Sequence, residues 1–495
     1  MERLHELKNG TDIRGVSLDN KERPVNLTVN EVRLISKGFY EWLQNNKKEK
    51  NLKVAVGCDS RLSGEDFKKE VINTLLAYGA KVYDCKMATT PAMFMTTVME
   101  DYNCDGAIMI TASHLPYYYN GLKFFTKDGG VDKKDIDKII NLSVNNTLEE
   151  SNDGRLEAKR LIDDYSKILV DKIRAAVDSK KNYNKPLEGL NIIVDAGNGS
   201  GGFFASKVLE ELGASTKGSQ FLNPDGNFPN HIPNPENKEA IESICQAVIK
   251  NKSDLGIIFD TDVDRAAIVD KYGNPINKDA LIALISVIIL NEYPSSSIVT
   301  DSITTDGLSR FIEKLGGKHH RFKRGYKNVI NEGIRLNEEN EECHLAIETS
   351  GHAAIKENYF LDDGAFLVSK ILVYVAKLAE QGKDIGELIK ELEEPLESIE
   401  YRINIDRENY RDFGEEILKD LEECIKNSNE FKLPEKNYEG VRVICDSPKH
   451  NGWFLLRLSL HEPLLALNIQ SDVKNGVKNI EGFVKQFLED YNLKF

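Results

Sequence analysis

The sequence predicts an α/β protein in which three similar α/β domains with mixed sheets are followed by a smaller α+β domain. A length of 495 residues suffices for three or four domains of about 100–200 residues each. Residues 51–85, 189–216 and 295–322 share one pattern. Each segment has a β-branched run that ends in Asp, then a turn with Ser or Gly, then apolar residues at helical spacing that stop at glycine. This pattern predicts a strand, a capped helix and a C-cap glycine in three separate domains.

The remainder of the chain has a different pattern. Runs of apolar or alternating residues predict strands at 398–405, 440–446, 453–460 and 464–471, and helices are predicted at 411–427 and 479–495. This mixture indicates a small α+β domain. We therefore predict four domains, at residues 1–155, 156–275, 276–397 and 398–495.

The charge of the chain limits its partners. A formal net charge of −15 argues against sequence-independent binding to nucleic acid and against docking on anionic membranes. The polar N-terminus lacks the apolar core of a signal peptide, and the longest apolar run, residues 280–290, is shorter than the about 20 residues that span a bilayer. We expect a cytoplasmic protein without nucleic-acid or membrane partners, in which a local cluster of Arg and Lys holds any anionic ligand.

One segment, residues 106–125, carries a serine at the end of a predicted strand. An apolar run leads into Ser113 and His114, and an Asn-Gly pair then marks a tight turn. A serine at a strand end beside His114 and Lys123 is well placed to act as a nucleophile or as a phosphate carrier. The structural alternative is a hairpin with a capping serine.

Three carboxylates alternate at the end of another apolar run: Asp260, Asp262 and Asp264. Clustered carboxylates repel one another unless a cation neutralises them, and oxygen ligands of this kind suit Mg²⁺. A calcium-binding EF-hand is excluded, because Arg265 stands where that loop needs Gly and Lys271 where it needs Glu. Apolar flanks on both sides argue against a solvated acidic turn.

The same segment has a competing interpretation. An apolar strand followed by Asp260-x-Asp262 also resembles the start of a haloacid-dehalogenase-type phosphatase, which forms an aspartyl-phosphate. Such a protein would be a hydrolase. This alternative gives no role to Asp264 and Arg265, or to the segment around Ser113.

A further strand-like run ends in the polar residues Glu348, Thr349, Ser350 and His352. Glu348 and Ser350 would lie on one face of an extended chain, and paired acceptors at this spacing suit adjacent sugar hydroxyls. His352 can act as a general base or orient a phosphate. A polar turn at a strand end is the structural alternative.

Two glycine-containing segments invite other functions. Gly197, Gly199 and Gly202 fit the G-x-G-x-x-G spacing of a dinucleotide site, but no acidic residue closes a second strand about 20 residues later, as that fingerprint requires. In residues 10–15, we expect Arg14 to lie on a flexible turn from which it can reach a phosphate.

Taken together, these segments resemble the α-D-phosphohexomutase superfamily, which comprises the phosphoglucomutase and phosphomannomutase enzymes. TASH with NGLKFF resembles its phosphoserine loop, DTDVDR its metal loop, ETSGH its sugar-recognition loop, GTDIRG its N-terminal arginine motif and LLRLSLHEP a variant of its C-terminal phosphate loop. The resemblance covers the whole chain in order. It implies four domains around a central cleft, and an isomerase that interconverts hexose 1-phosphate and hexose 6-phosphate, of glucose or mannose, through a phosphoserine and a hexose 1,6-bisphosphate.

The resemblance also implies roles for individual residues. Ser113 would carry the phosphoryl group, and a phosphate oxygen on it would bind Mg²⁺ together with Asp260, Asp262 and Asp264. The transferring group would be surrounded by Arg14, His114, Lys123 and Arg265, with Lys123 and His352 as the acid/base candidates. Substrate contacts would come from Arg324, Lys327, Glu348, Thr349, Ser350, Arg457, Ser459 and His461.

The C-terminal loop departs from the family pattern. The family typically has R-x-S-G-T-E-P here, whereas this chain has Leu460 and His461 in place of the Gly and Thr and lacks the Arg that follows. We expect Arg457 to be the main anchor of the distal phosphate, with Ser459 and His461 assisting. The departure also keeps open a protein of another class, a catalytically weak sensor that binds sugar phosphates.

Overall fold

The described part of the chain forms four β-sheets with helices packed on them. A computed structural model describes residues 2–145, 147–459 and 462–494. By its internal contacts the chain divides into one unit of residues 1–277 with 350–387 and a second unit of residues 278–349 with 388–495. Among the described residues, no helix is long and apolar enough to cross a membrane.

The N-terminal region is built on an eight-stranded mixed sheet. Its elements are α1 (Glu2–His5), β1 (Lys8–Asn9), β2 (Asp12–Val16), α2 (Val29–Lys47), β3 (Lys53–Cys58), α3 (Gly64–Ala77), β4 (Lys81–Met87), α4 (Thr90–Met95), β5 (Gly106–Ile110), β6 (Tyr119–Thr126), β7 (Gly129–Gly130), α5 (Lys133–Val144) and β8 (Arg155–Ala158). The strand order is β1-β2-β6-β5-β3-β4-β8, and β7 pairs with β6. β3 is parallel to β4 and β5, whereas β5 and β6 are antiparallel.

Helix α2 shows how the sequence sets this packing. It begins at a capping box, in which the Thr28 backbone N–H donates to Glu31 at 2.9 Å. Its buried face includes Val32, Ile35 and Phe39, and the Phe39 ring stacks on Phe124 of β6 at 4.7 Å. Burial of each such side chain contributes about 1.5–3 kcal/mol, so this face fixes the helix on the sheet.

The second region carries a four-stranded sheet of order β12-β11-β10-β9. Its elements are α6 (Leu161–Val177), β9 (Ile192–Asp195), α7 (Lys238–Asn251), β10 (Leu255–Phe259), β11 (Ala266–Asp270) and β12 (Pro275–Ile276). The helix predicted after β9 consists of a 3₁₀ turn at Ser200–Gly202 and a π-helical segment at Ala205–Leu209. It therefore differs from the regular α-helix that the repeat pattern suggests.

The glycines after β9 have a packing reason. A β-carbon on Gly199 would lie 2.6 Å from the Thr261 carbonyl oxygen, and one on Gly202 would lie 2.1 Å from that of Leu222. Only glycine permits such close approach of two backbone segments. Gly199 thus accommodates the loop that follows β10, and Gly202 accommodates the segment at Leu222.

The third region spans both units. Its elements are α8 (Lys278–Glu292), β13 (Ser297–Asp301), α9 (Asp306–Lys314), β14 (Lys318–Phe322), α10 (Tyr326–Glu338), β15 (Cys343–Ile347), β16 (Ala353–Ile355), β17 (Leu361–Asp362) and α11 (Gly364–Ala379). In the second unit, β13 is parallel to β14 and β15. In the first unit, β16 and β17 form an antiparallel hairpin. The long apolar run predicted at 280–290 lies in α8, whose residues 281–290 are all buried.

The C-terminal region is a five-stranded antiparallel sheet with two helices. Its elements are β18 (Glu397–Asn404), α12 (Tyr410–Lys426), β19 (Phe431–Lys432), β20 (Val441–Cys445), β21 (Gly452–Leu458), β22 (Leu464–Ser471) and α13 (Gly476–Glu489). The strand order is β18-β22-β21-β20-β19, and apolar residues of both helices join one core with the sheet. The predicted fold class, three α/β domains with mixed sheets and a smaller α+β domain, is confirmed. The four domain boundaries stay predictions.

Candidate active site

Ser113 lies in the loop that follows β5 and is held by one buried arginine. Its φ of 51° places it in the left-handed region, which is uncommon for a residue with a side chain. Arg61 donates to the carbonyl oxygens of Ser113 at 2.5 Å and Leu115 at 2.6 Å, and to those of Pro116 at 2.8 Å and Tyr119 at 2.9 Å. These four hydrogen bonds satisfy carbonyl oxygens of the turn and maintain the strained conformation of Ser113.

Arg61 was not identified from the sequence. It is buried and forms an ion pair with Asp59 at 3.4 Å, so its charge is balanced inside the protein. The available local signal is its position two residues after Asp59, the residue that follows β3. Its partners lie more than fifty residues further along the chain, which no local pattern reveals.

The Ser113 hydroxyl is surrounded by polar groups. Its Oγ lies 3.3 Å from Asp260 Oδ2, 3.3 Å from Arg265 Nη2 and 3.2 Å from His114 Nδ1. Arg265 donates to the same nitrogen of His114 at 2.7 Å, so that nitrogen is an acceptor and the imidazole is neutral. Burial, reinforced by the charge of Arg265, lowers the pKa of His114 to about 2.

The three carboxylates of the loop after β10 converge beside Ser113. Asp260, Asp262 and Asp264 are buried, and each offers an oxygen within 4.8 Å of those of the others. Lys123 donates to Asp262 Oδ2 at 3.0 Å and to Asp264 Oδ2 at 2.5 Å. The Oδ1 atoms of Asp262 and Asp264 are buried and have no hydrogen-bond partner in the part of the chain that the structure describes. Unsatisfied carboxylate oxygens at this spacing could hold a metal ion.

The pKa values within the cluster diverge. Burial and the charge of Asp264 raise the pKa of Asp260 well above its ordinary value. Burial also acts to raise the pKa of Asp264, but the charges of Lys123 and His352 outweigh it and hold that pKa well below its ordinary value. Three carboxylates in one buried cluster repel one another, and a cation would relieve this repulsion.

Thr90, at the start of α4, is tied to the middle carboxylate. Its Oγ1 donates to Asp262 Oδ2 at 2.5 Å, and its backbone N–H donates to the Asp262 carbonyl oxygen at 2.9 Å. Both groups are buried. Thr90 is not evident from the sequence, because its local signal is a Thr-Pro pair typical of a helix start.

Arg265 is the most connected cation of this cluster. It is 1% exposed, and its Nη2 lies 3.1 Å from Asp260 Oδ2. Its Nη1 donates to Asn234 at 3.1 Å and lies 3.6 Å from Glu236. The guanidinium is therefore fixed from two sides, and it directs Nη2 at Ser113 and His114.

The loop that carries Asn234 is itself anchored by a buried pair. His231 Nε2 lies 3.0 Å from Asp195 Oδ2, and its Nδ1 lies 3.0 Å from the Ile232 carbonyl oxygen. Both ring nitrogens face acceptors, which requires an imidazolium. Burial acts to lower the pKa of His231, but the hydrogen bond and charge of Asp195 outweigh it and raise that pKa.

His352 reaches the same cluster from the segment before β16. Its Nδ1 lies 3.0 Å from Ser350 Oγ and its Nε2 lies 3.5 Å from Asp264 Oδ1. Asp264, His352 and Asp362 form a second group with ligand atoms within 4.8 Å of one another. Burial and the charge of Asp264 raise the pKa of Asp362 to about 6.

Arg14 corrects one expectation. It lies in strand β2 and pairs with Gly121 of β6, so the prediction of a flexible turn at this residue is wrong. The turn is confined to the residues before Asp12, because β2 continues the sheet immediately afterwards. Arg14 Nη2 forms an ion pair with Asp12 at 2.7 Å, and its charge contributes to the lowered pKa of His114 after burial and Arg265.

The other predicted substrate residues belong to the second unit. Glu348 accepts from the Gly325 backbone N–H at 2.6 Å. The Thr349 hydroxyl donates to Asp301 at 2.7 Å, and Arg324 Nε lies 3.3 Å from the same carboxylate. These bonds join the segment after β15 to the start of α10, where Lys327 also lies.

Arg457 and Ser459 mark the predicted phosphate loop after β21. Arg457 is buried, its Nε has no hydrogen-bond partner among the described residues, and burial lowers its pKa. Ser459 donates its backbone N–H to the Leu464 carbonyl oxygen at 2.9 Å. His461 and Leu460 lie outside the described residues.

The structure therefore brings together most of the predicted catalytic residues within the first unit. The catalytic residues are Ser113, His114, Lys123, Arg265 and His352, the predicted metal ligands Asp260, Asp262 and Asp264 lie with them, and Ser350 joins them from the predicted substrate-binding set. Within the second unit, Arg324 and Thr349 both contact Asp301. Glu348 contacts the backbone N–H of Gly325. The roles of all these residues stay predictions.

Three family models match consecutive parts of this chain. Family models described as phosphoglucomutase/phosphomannomutase α/β/α domains I, II and III match residues 6–151, 167–273 and 277–396. A phosphomannomutase/phosphoglucomutase of Pseudomonas syringae pv. tomato is 30% identical over 447 residues, which cover 89% of each chain. A phosphomannomutase of Methanocaldococcus jannaschii is 30% identical over 446 residues, 87% of this chain and 89% of that protein. The crystal structure of a phosphoglucomutase/phosphomannomutase family protein from Burkholderia thailandensis matches over 100% of both chains, with a TM-score of 0.82 and 25% identity.

Proposed function

This chain belongs to the phosphoglucomutase/phosphomannomutase family, and we propose that it interconverts the 1- and 6-phosphates of glucose or mannose through a phosphoserine at Ser113. As a hexose-phosphate mutase it is an isomerase. One observation carries the assignment to Ser113: its hydroxyl lies 3.3 Å from both Arg265 and Asp260, at the edge of the three-carboxylate cluster. The relatives give no support to a phosphatase or a sensor.

The transfer step is an exchange of one P–O bond for another. The phosphoryl group leaves Ser113 Oγ and joins a free hydroxyl of the hexose phosphate, which gives a hexose 1,6-bisphosphate. The proton of that hydroxyl must go to a base. Arg265 lies where it can neutralise an oxygen of the phosphoryl group, and Lys123 contacts Asp262 and Asp264 of the same cluster.

Two residues are proposed as the acid and the base. Lys123 contacts two carboxylates, which keep it in the ammonium form, and we assign it as the acid that supplies a proton to a leaving oxygen. His352 contacts Ser350 and Asp264, which orient its ring, and in its neutral form the imidazole can accept a proton. His114 is neutral and accepts from Arg265, so we assign it to the orientation of that guanidinium.

The carboxylate cluster fits Mg²⁺. The donors of Asp260, Asp262 and Asp264 are all oxygens, which Mg²⁺ prefers, and two of these oxygens are buried without hydrogen bonds among the described residues. A phosphate oxygen on Ser113 would add a fourth ligand. When bound, the ion supplies positive charge that stabilises the transferring phosphoryl group. Lys123 and Arg265 supply charge to the same group from the protein itself.

Substrate binding is assigned to the second unit and to the segment around Ser350. Glu348 and Ser350 would accept from adjacent sugar hydroxyls, with Thr349 beside them. The distal phosphate would be held by Arg324, Lys327, Arg457 and Ser459, with His461 assisting. The bisphosphate must then turn around, so that its other phosphate faces Ser113. This reorientation requires that the distal site release the bound phosphate between the two transfer steps.

A coupled assay tests the proposal. The protein is incubated with glucose 1-phosphate and a trace of glucose 1,6-bisphosphate, and glucose 6-phosphate is measured. Formation of glucose 6-phosphate is the expected result. Release of inorganic phosphate would indicate a phosphatase, and absence of turnover with both glucose 1-phosphate and mannose 1-phosphate would indicate a sensor; either outcome refutes the proposal. A parallel assay with mannose 1-phosphate gives the preferred sugar from the ratio of kcat/KM values.

A further inference from the structure

A carboxylate of the C-terminal region lies among the residues assigned to the distal phosphate. Glu439 stands in the loop between β19 and β20. It accepts a hydrogen bond from the Ser302 hydroxyl, and its Oε2 accepts from the Arg324 backbone N–H at 3.2 Å. A hydroxyl and a backbone N–H that converge on one anion are the donors that a phosphate oxygen uses.

Two guanidinium groups belong to the same neighbourhood. Burial lowers the pKa of Arg457, the charge of Glu439 opposes that shift, and the charge of Arg324 reinforces it. Arg324 Nε lies 3.3 Å from Asp301. The two positive charges of Arg324 and Arg457 are therefore matched by the two negative charges of Asp301 and Glu439.

The loop that carries Glu439 cannot easily withdraw. Gly440 has a φ of 54°, and a β-carbon there would lie 2.3 Å from the Leu456 carbonyl oxygen, so the backbone is packed tightly at this point. Two residues further on, Arg442 donates to the Ser302 carbonyl oxygen at 2.9 Å and stacks on Trp453, with its guanidinium carbon 3.6 Å from the ring centre. These contacts hold the backbone that follows Glu439, so displacement of the carboxylate is assigned to a movement of the Glu439 side chain.

We infer that the Glu439 carboxylate is an internal counter-anion at the distal-phosphate site, which an incoming sugar phosphate must displace from Ser302 and Arg324. This inference rests on the proposed function, since it assigns Arg324 and Arg457 to that phosphate. Repulsion between the carboxylate and a bound dianion weakens binding. A weakened distal site suits a reaction in which the bisphosphate must leave this site and turn around.

The test replaces the charge and keeps the shape. Glu439→Gln should lower the dissociation constant of glucose 6-phosphate, measured by calorimetry, by about three- to thirtyfold, because one like charge near the dianion is removed. The effect should shrink as salt is added. Both KM and kcat should fall, since the bisphosphate is retained. Glu435→Gln is the matched control: this exposed residue of the same loop loses the same charge and should leave binding unchanged.

The outcomes separate the inference from its premise. Unchanged or weaker binding in Glu439→Gln would overturn the inference, because a residue that merely connects two segments would weaken the site when removed. Glu439→Ala provides a second variant that must change binding in the same direction. Turnover of the unmodified protein is measured in the same preparations. Its absence would refute the proposed mutase, whereas tighter binding of glucose 6-phosphate in both variants would still support the counter-anion.

Discussion

Replacement of Thr90 by valine tests whether a residue outside the carboxylate cluster sets its affinity for metal. Valine has nearly the same shape, so the change removes the hydroxyl that donates to Asp262 Oδ2 at 2.5 Å and keeps the packing. A hydrogen bond to a charged group contributes about 1.5–3 kcal/mol. Outer residues that orient metal ligands typically change affinity by about 10- to 100-fold, in agreement with that energy.

The assay is a titration of Mg²⁺ by calorimetry, together with the Mg²⁺ dependence of turnover. Thr90→Val should raise the dissociation constant of Mg²⁺ by about 10- to 100-fold, and Thr90→Ser should restore it, because serine keeps the donor. Thr97→Val is the control: its buried hydroxyl bonds to the Phe94 carbonyl oxygen and does not contact the cluster. The control should alter stability alone. Equal metal affinity in Thr90→Val and the unmodified protein would refute the reasoning.

Three further changes address separate parts of the account. In the unmodified protein a chelator should abolish turnover and added Mg²⁺ should restore it, whereas Asp262→Asn should show no Mg²⁺-dependent turnover. Turnover that is insensitive to chelation would contradict the metal site. Arg457→Ala should raise KM about 10- to 100-fold through loss of a charged phosphate contact, with phosphorylation of Ser113 spared; an unchanged KM would exclude Arg457 from the distal site. The raised pKa of His231 means that its pair with Asp195 stabilises the fold fully below about pH 6.5, and that this stability is lost as the pH rises through the raised value. Urea unfolding between pH 5.5 and 9 should show this decline, and His231→Gln should flatten it; the same slope in both proteins would contradict the assignment.

The polar residues that follow strands were the part of the site best predicted from the sequence. Ser113 after β5, Asp260 after β10 and Glu348 after β15 each follow an apolar run, and each lies at the end of a strand in a different sheet. Alternation along such a run is a local signal, so one sequence suffices to find it. The resemblance to a family then ordered these signals along the chain.

Other features depend on contacts that a local pattern does not encode. Arg61 meets Ser113 across 52 positions, Thr90 meets Asp262 across 172, and Glu439 meets Ser302 across 137. Each of these residues has an ordinary local explanation as a polar loop residue or a helix start. Arg14 was placed on a turn, because the glycines on either side of it suggest one, whereas pairing with β6 draws it into the sheet.

The central claim is that Ser113 carries the phosphoryl group that moves between the two ends of the hexose. A single-turnover experiment tests it directly. The protein is phosphorylated with radiolabelled glucose 1,6-bisphosphate, freed of ligand, and mixed with unlabelled glucose 6-phosphate. The label should leave Ser113 and be found in glucose 1,6-bisphosphate and glucose 1-phosphate, and Ser113→Ala should take up no label. Label that stays on the protein, or that appears first as inorganic phosphate, would contradict it.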